Sequence, residues 1–232
     1  MGEWIVMDDL PIDGLFAGRP REITPGRRSA IRKAPLAPPW RIESEGLVGD
    51  RQADRRHHGG VEKALHHYPR EHYDAWRADL PELVSEFVAP AFGENISTRG
   101  LTEAEVCVGD VFALGGARLQ VSQGRQPCLT LNFRFGRRDM ARRTQETMRC
   151  GWYYRVLETG AAQPGDCLRL MERPRADWPL ARLFALLYGR TLAFDELTEM
   201  AVLPELAESW RALARRRIES RKVEDWGRRL GG

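Results

Sequence analysis

One change of texture divides this chain and limits what it can fold into. Up to about residue 171 the apolar residues come in short pieces cut by Gly, Pro and Gly-Asp. Beyond "ERPRADWP" (172–179) they recur at helical spacing. Short runs bounded by turn residues read as strands, and apolar residues at i, i+3, i+4 and i+7 read as an amphipathic helix. The expected fold class is mostly β with α: a β-barrel with peripheral helices over 1–173, followed by a small C-terminal three-helix subdomain over 174–232.

Residues 1–45 alternate short apolar pieces with Pro and Gly, as strands and irregular crossings do. "GLVGDRQAD" (46–54) is rich in turn residues, and "EKALHHY" (62–68) is short enough for a strand. After Pro69, Tyr73, Trp76 and Leu80 fall at helical spacing. Two phrases, "VCVGDVFALGGARLQVS" (106–122) and "AQPGDCLRLM" (162–171), each set Gly-Asp before a β-prone run. Glycine supplies positive φ and aspartate closes the turn locally, so each is a hairpin or strand-entry signal, and several such strands predict a closed or nearly closed barrel. In the tail, Leu180, Leu183, Phe184 and Leu187 predict one helix and "FDELTEMAVL" a second. Pro204 opens a third, with Leu206, Trp210, Leu213 and Ile218 along one side. Such a tail serves as a separate unit, a cover over the barrel or a homodimer face.

Composition excludes little but directs attention. At 42% hydrophobic and 30% charged residues the chain reads as an ordinary globular protein, with no apolar run long enough for a membrane span. The opening "MGEWIVMDDLPIDG" does not read as a signal peptide, so the cytoplasm is the expected compartment and no membrane partner is expected. Nearly all the positive charge is arginine, with lysine only at 33, 63 and 222. Seven arginines crowd 125–149, a pattern of either a solvated basic face or a site for an anionic ligand. Nucleic acid is not expected, because net charge is only +3 and no recognition motif is present.

Four residue groups carry candidate chemistry. The histidines between 57 and 72 invite a metal reading, but HExxH and Cys/His pairs are missing. On a strand, His66 and His67 point to opposite faces and cannot serve one site. His58-Gly59-Gly60 combines an imidazole with glycines that permit close backbone approach to a ligand, and Lys63 follows three residues later. In "FGENIST" (92–98), Asn95 is either a turn cap or an amide offered to a ligand. Cys107, Cys128, Cys150 and Cys167 are widely spaced and expected as free thiols. Of these, Cys128 stands apart in "SQGRQPCLTL", at the start of an apolar run that reads as a strand. Arg125 favours its thiolate, and Pro127 restricts the backbone before it. Local chemistry leaves open whether Cys128 is a buried filler or a presented sulfur.

Taken in order, "GLVGDRQAD", "HGGVEKALHHY", "FGENIS", "VGDVFALGGARLQVSQGRQPC", "GWYYRVLETG" and "PGD" resemble the MOSC family, the domain shared with the C-terminal part of molybdenum cofactor sulfurases. The resemblance covers about 46–170, and the tail fits the YiiM-like bacterial branch with its C-terminal three-helix segment. It implies a MOSC-type β-barrel in which Cys128 coordinates the molybdenum of a molybdopterin-type cofactor and is the catalytic residue. His58, Gly59, Gly60, Lys63, Asn95, Gln123 and Arg125, with Tyr153 and Arg155, would form the cofactor pocket. The implied activity is reduction of N-hydroxylated compounds such as 6-hydroxylaminopurine, with electrons from an external donor reductase. Sulfur transfer through a Cys128 persulfide and a non-catalytic carrier of the cofactor are the alternatives. One departure stands out: the family pattern Gln-Pro-Arg is Gln123-Gly124-Arg125 here, and Gly124 is expected to loosen the loop that poses Arg125.

Overall fold

The structure is a computed structural model that describes residues 9–12, 14–54, 58–190 and 192–231. The opening segment 1–8 and His57 lie outside the described residues.

Both Gly-Asp pairs start a strand by the same device. Gly109 and Gly165 take φ of 81° and 93°. The carboxylates of Asp110 and Asp166 then accept the N–H groups of Cys107 at 2.9 Å and Gln163 at 2.8 Å, each three residues earlier. The strands Val111–Leu114 and Cys167–Glu172 follow at once and pair antiparallel with each other. Gly115-Gly116 then turns the chain into the long strand Ala117–Gly124.

These belong to a six-stranded antiparallel sheet in the order Leu10–Pro11, Cys167–Glu172, Val111–Leu114, Ala117–Gly124, Trp152–Glu158 and Leu65–His67. A smaller sheet joins Gly160–Ala162, Trp40–Glu43 and Gly46–Leu47. The larger sheet curls into a half-barrel rather than closing. Its end strands have only two and three residues, and Pro11 at one edge has no N–H to extend the ladder.

The end of Ala117–Gly124 departs from simple alternation. Its last four residues are all buried, because the strand is covered on both faces. Val121 pairs with Tyr154 and Gln123 with Tyr153, so Ser122 is the extra residue of a β-bulge. Its hydroxyl donates to the carbonyls of Glu62 at 2.6 Å and Tyr153 at 3.1 Å. The bulge re-aims the residues that follow, which lead to Cys128.

The tail helices are Leu180–Tyr188, Phe194–Ala201 and Glu208–Ser220, with a short turn at Gly227–Leu230. Their apolar stripes join the sheet in one core, where Leu183, Phe184, Leu187 and Trp210 pack with Val121 and Leu119. The third helix begins at Glu208 rather than at Pro204, since the N–H of Ala207 is drawn to the carbonyl of Ser122 at 2.8 Å and Ala207 stays extended. A second apolar cluster packs Tyr73 and Trp76 of the helix Glu71–Asp79 against Tyr68, Phe87, Phe92 and Phe135. Each such ring buried contributes roughly 2–3 kcal/mol.

The run after Cys128 is not a strand. It forms the helix Thr130–Phe135, followed by Met140–Glu146, so Cys128 sits in the loop between the long strand and this helix. Leu131 and Phe135 are buried in the second cluster, and that tertiary packing overrides the β-prone look of Leu-Thr-Leu. Among the described residues, no helix is long and apolar enough to cross a membrane.

Candidate functional site

A cavity of about 180 Å³ opens between the end of the half-barrel and the N-terminal crossings. Arg27, Arg28, Lys33, Arg51, Lys63 and Arg125 lie on its wall against Asp50 and Asp54, and Cys128 is in its lining. That excess of cations suits an anionic or electron-rich ligand.

Cys128 is half-buried, and its Sγ lies 3.4 Å from His58 Nε2. Burial pushes the thiol up, but the hydrogen bond and charge of His58, the charge of Arg125 and the Thr130 hydroxyl outweigh it. The thiol is thereby held at about 6. The other cysteines contrast with it. Burial, then Asp110, pushes the Cys107 thiol up to about 11, and burial likewise raises Cys150, whose sulfur lies 3.3 Å from the Thr144 carbonyl. All four are free thiols, and Cys128 alone combines thiolate character with access to a cavity.

The loop 58–63 places two of the cationic or titratable neighbours. The N–H of His58 donates to the Asp54 carbonyl at 2.9 Å. Gly60 takes φ of 90° and starts the 3-10 turn Val61–Lys63, and Lys63 reaches the cavity wall. Burial lowers the Lys63 ammonium, and the charges of Cys128 and Asp54 partly restore it. Gly59 and Gly60 flank the cavity without lining it, and a Cβ at Gly60 would meet nothing within 4 Å.

Two buried side chains on the wall have polar atoms without a partner. Arg125 is 6% exposed and its Nη1 is unsatisfied, and His66 is 4% exposed with Nε2 unsatisfied. A buried polar atom without a partner is costly, so both are candidate ligand contacts. Burial, followed by the charges of Arg125 and Lys33, keeps the His66 imidazole neutral. Its neighbour His67 faces the core, where it hydrogen-bonds the hydroxyls of Tyr154 at 3.0 Å and Thr98 at 2.9 Å. Burial pushes that ring down to about 3. The opposite faces of the strand Leu65–His67 separate the two roles.

The remaining residues singled out from sequence divide by position. Tyr153 lines the cavity with its ring centroid 5.0 Å from that of His66. Asn95 also lines it, but its amide is spent: Oδ1 accepts the His66 N–H at 3.0 Å, and Nδ2 donates to the Phe16 carbonyl at 2.9 Å and to Asp50 Oδ2 at 3.0 Å. Gln123 is buried beneath, off the lining, with Oε1 unsatisfied. Arg155 points elsewhere, donating to Glu62 Oε2 at 2.5 and 3.0 Å and to Gln120 Oε1 at 2.8 Å.

Gly124 does not loosen its loop. It is the last residue of the strand, paired with Trp152, and a Cβ there would overlap the Phe184 ring and lie 3.1 Å from Trp210. The tail fills the space that a side chain at 124 would take. The arginine-rich stretch 125–149 resolves as well. Arg134 pairs with Glu86 at 2.7 Å, Arg137 with Glu82 at 2.6 Å, Arg143 with Asp139 at 2.6 Å and Arg149 with Asp79 at 2.6 Å. Those four make a surface network of modest energy, and only Arg125 turns inward to the cavity.

Sequence reasoning missed Lys33, Asp50 and His66. Lys33 ion-pairs with Asp50, which also accepts the Gly18 N–H at 2.7 Å, so an N-terminal crossing is tied to the "GLVGD" turn at the wall. The scarcity of lysine in an arginine-rich chain was the available signal for Lys33.

Comparison with known proteins places this geometry. The MOSC domain matches residues 54–169, and the YiiM-like, 3-alpha helix domain matches residues 178–221. This chain belongs to the MOSC family, in its YiiM-like form. It is 39% identical to Protein YiiM of Escherichia coli over 222 residues, 96% of this chain and 98% of that protein. The crystal structure of YiiM from Escherichia coli superposes with a TM-score of 0.83 at 34% identity, covering 97% of this chain and 100% of that one. A protein of Gibberella moniliformis named Reductase is 36% identical over 193 residues, 83% of this chain but 34% of that longer protein. The match at 178–221 covers all three helices, Leu180–Tyr188, Phe194–Ala201 and Glu208–Ser220.

Proposed function

We propose that this MOSC protein is a molybdenum-cofactor-dependent reductase of N-hydroxylated compounds, with the Cys128 thiolate as the protein ligand of the metal. One observation carries the reading: a thiol held at about 6 opens on a cation-rich cavity where Arg125 Nη1 and His66 Nε2 lack partners. MOSC domains are associated with binding of molybdenum cofactor, and one relative is named Reductase. The donor set fits the group. A thiolate is the soft ligand that molybdenum accepts beside sulfur, and the arginines and lysines suit a phosphate and a polar pterin. When bound, the cofactor supplies a two-electron couple at an oxygen-accepting metal.

The chain's own residues would do the following work. Cys128 holds the metal, and Arg125 and His66 turn their unpaired nitrogens to the cofactor. His58 Nε2, 3.4 Å from the sulfur, is a ring nitrogen that could hold a proton beside the metal ligand. The net change converts R–NHOH, two electrons and two protons into R–NH2 and water, with the electrons drawn from an external donor reductase. 6-Hydroxylaminopurine is the representative substrate.

The test uses protein from a host that makes molybdenum cofactor, assayed for metal and for reduction of 6-hydroxylaminopurine by reduced methyl viologen. Near-stoichiometric molybdenum and turnover in the wild type, both lost in Cys128→Ala, support the reading. Absence of molybdenum with a persulfide at Cys128 replaces it by sulfur transfer. Bound cofactor without turnover replaces it by a carrier.

A further inference from the structure

The loop that presents Cys128 is gripped from behind by the C-terminal segment at Gly124, Arg125, Pro127 and Leu129. Phe184 and Trp210 close on Gly124, and the Tyr188 hydroxyl donates to the Arg125 carbonyl at 3.2 Å. Arg229 takes the two residues on either side of the cysteine. Its Nη1 donates to the Pro127 carbonyl at 2.5 Å, and its own carbonyl accepts the Leu129 N–H at 2.7 Å. Its Nη2 is tied to Gln145 Oε1, which holds the guanidinium in place.

The position of these bonds matters more than their number. The Pro127 carbonyl belongs to the peptide plane entering Cys128, and the Leu129 N–H to the plane leaving it. Peptide planes are rigid, so fixing both leaves φ and ψ of Cys128 little freedom. The leaving plane is held a second time, because the Cys128 carbonyl accepts the Leu131 N–H at 2.9 Å. The direction of the Cα–Cβ bond, and so the approach of Sγ to His58, is set by these two planes. Arginine suits the task because its planar fork reaches two acceptors at once, Pro127 and Gln145, which an ammonium does less well.

We infer that Arg229 is a positioning residue for Cys128, and that the C-terminal helical segment serves the site by bracing the cysteine loop. The inference goes beyond the reductase reading and holds for any ligand of the thiol. Arg228, exposed and adjacent, is the internal control.

The experiment compares full-length wild type, Arg229→Ala, Arg229→Lys and Arg228→Ala by hydrogen exchange and by iodoacetamide labelling of Cys128 at fixed pH. In Arg229→Ala, exchange at the Leu129 amide and labelling of Cys128 rise about tenfold, the effect of one charge-assisted hydrogen bond on a local opening. Amides of Val111–Leu114 stay at wild-type protection, Arg229→Lys falls between, and Arg228→Ala matches wild type. Unchanged Leu129 exchange and Cys128 labelling in Arg229→Ala would overturn the inference. So would a rise shared equally by the sheet amides, since that makes Arg229 an ordinary stability contact.

Discussion

His58 Nε2 and Cys128 Sγ lie 3.4 Å apart although seventy positions separate them in the chain. The pair is assembled by the 3-10 turn at Val61–Lys63 on one side and by the braced loop after the long strand on the other. Its hydrogen bond and charge do most to offset the burial that would otherwise keep the thiol protonated.

Labelling of Cys128 by iodoacetamide in the metal-free protein is therefore expected to titrate with a midpoint near 6. His58→Ala removes the largest influence holding the thiol down, so the midpoint rises, and labelling at pH 6 slows by about fivefold for the first unit of that rise. A rate–pH series on the two proteins, with Cys128→Ser as blank, checks this. An unmoved midpoint in His58→Ala would show that Arg125 and Thr130 suffice.

Arg125 and Arg155 should separate cleanly. Arg125→Ala removes the unpaired buried nitrogen at the cavity and is expected to lower bound molybdenum by tenfold or more, roughly the 1.5–3 kcal/mol of a hydrogen bond to a charged group. Arg155→Ala breaks pairs with Glu62 and Gln120 and should leave metal content near wild type. Metal analysis of both variants reads the difference.

Glu94 predicts a pH signature in stability. Burial pushes its carboxyl up to about 7 against the opposing pull of its Tyr73 hydrogen bond and the Arg125 charge. The folded state then binds a proton more tightly than the unfolded chain, so the stability this group contributes is full below about pH 4.5 and falls as pH rises towards 7. Glu94→Gln should flatten that decline, which is on the order of a few kcal/mol. Urea unfolding from pH 5 to 8 measures it, and an equal slope in the variant would exclude the assignment.

Gly124→Ala is expected to destabilise the fold by about 1–3 kcal/mol, because the added methyl overlaps Phe184. Combining it with Phe184→Leu should recover part of the loss. Unfolding of the two single variants and the double variant tests the coupling, and strict additivity would show that the overlap is relieved elsewhere.

The half-barrel and its helical cover were legible because they rest on local signals. Gly-Asp strand entries and the i, i+3, i+4, i+7 stripe of Leu180 to Leu187 are set by neighbours in the chain, and the ordered motifs pointed to the MOSC family. Helix Thr130–Phe135 was hidden because Leu131 and Phe135 answer to a distant aromatic cluster rather than to their own propensity. Gly124 was misread for the same reason: its freedom is removed by Phe184, sixty residues on.

By itself the sequence determined the strand entries and the tail helices, the rarity of lysine and the setting of Cys128 after Arg-x-Pro. Only the tertiary structure decided what those residues face. It spent the Asn95 amide on Asp50 and His66, turned Arg155 to Glu62, left Arg125 Nη1 and His66 Nε2 without a hydrogen-bond partner, and closed Arg229 on both sides of Cys128. The physical reason is that hydrogen-bond partners and burial are properties of three-dimensional neighbours, and most of these partners lie dozens of residues apart in the chain.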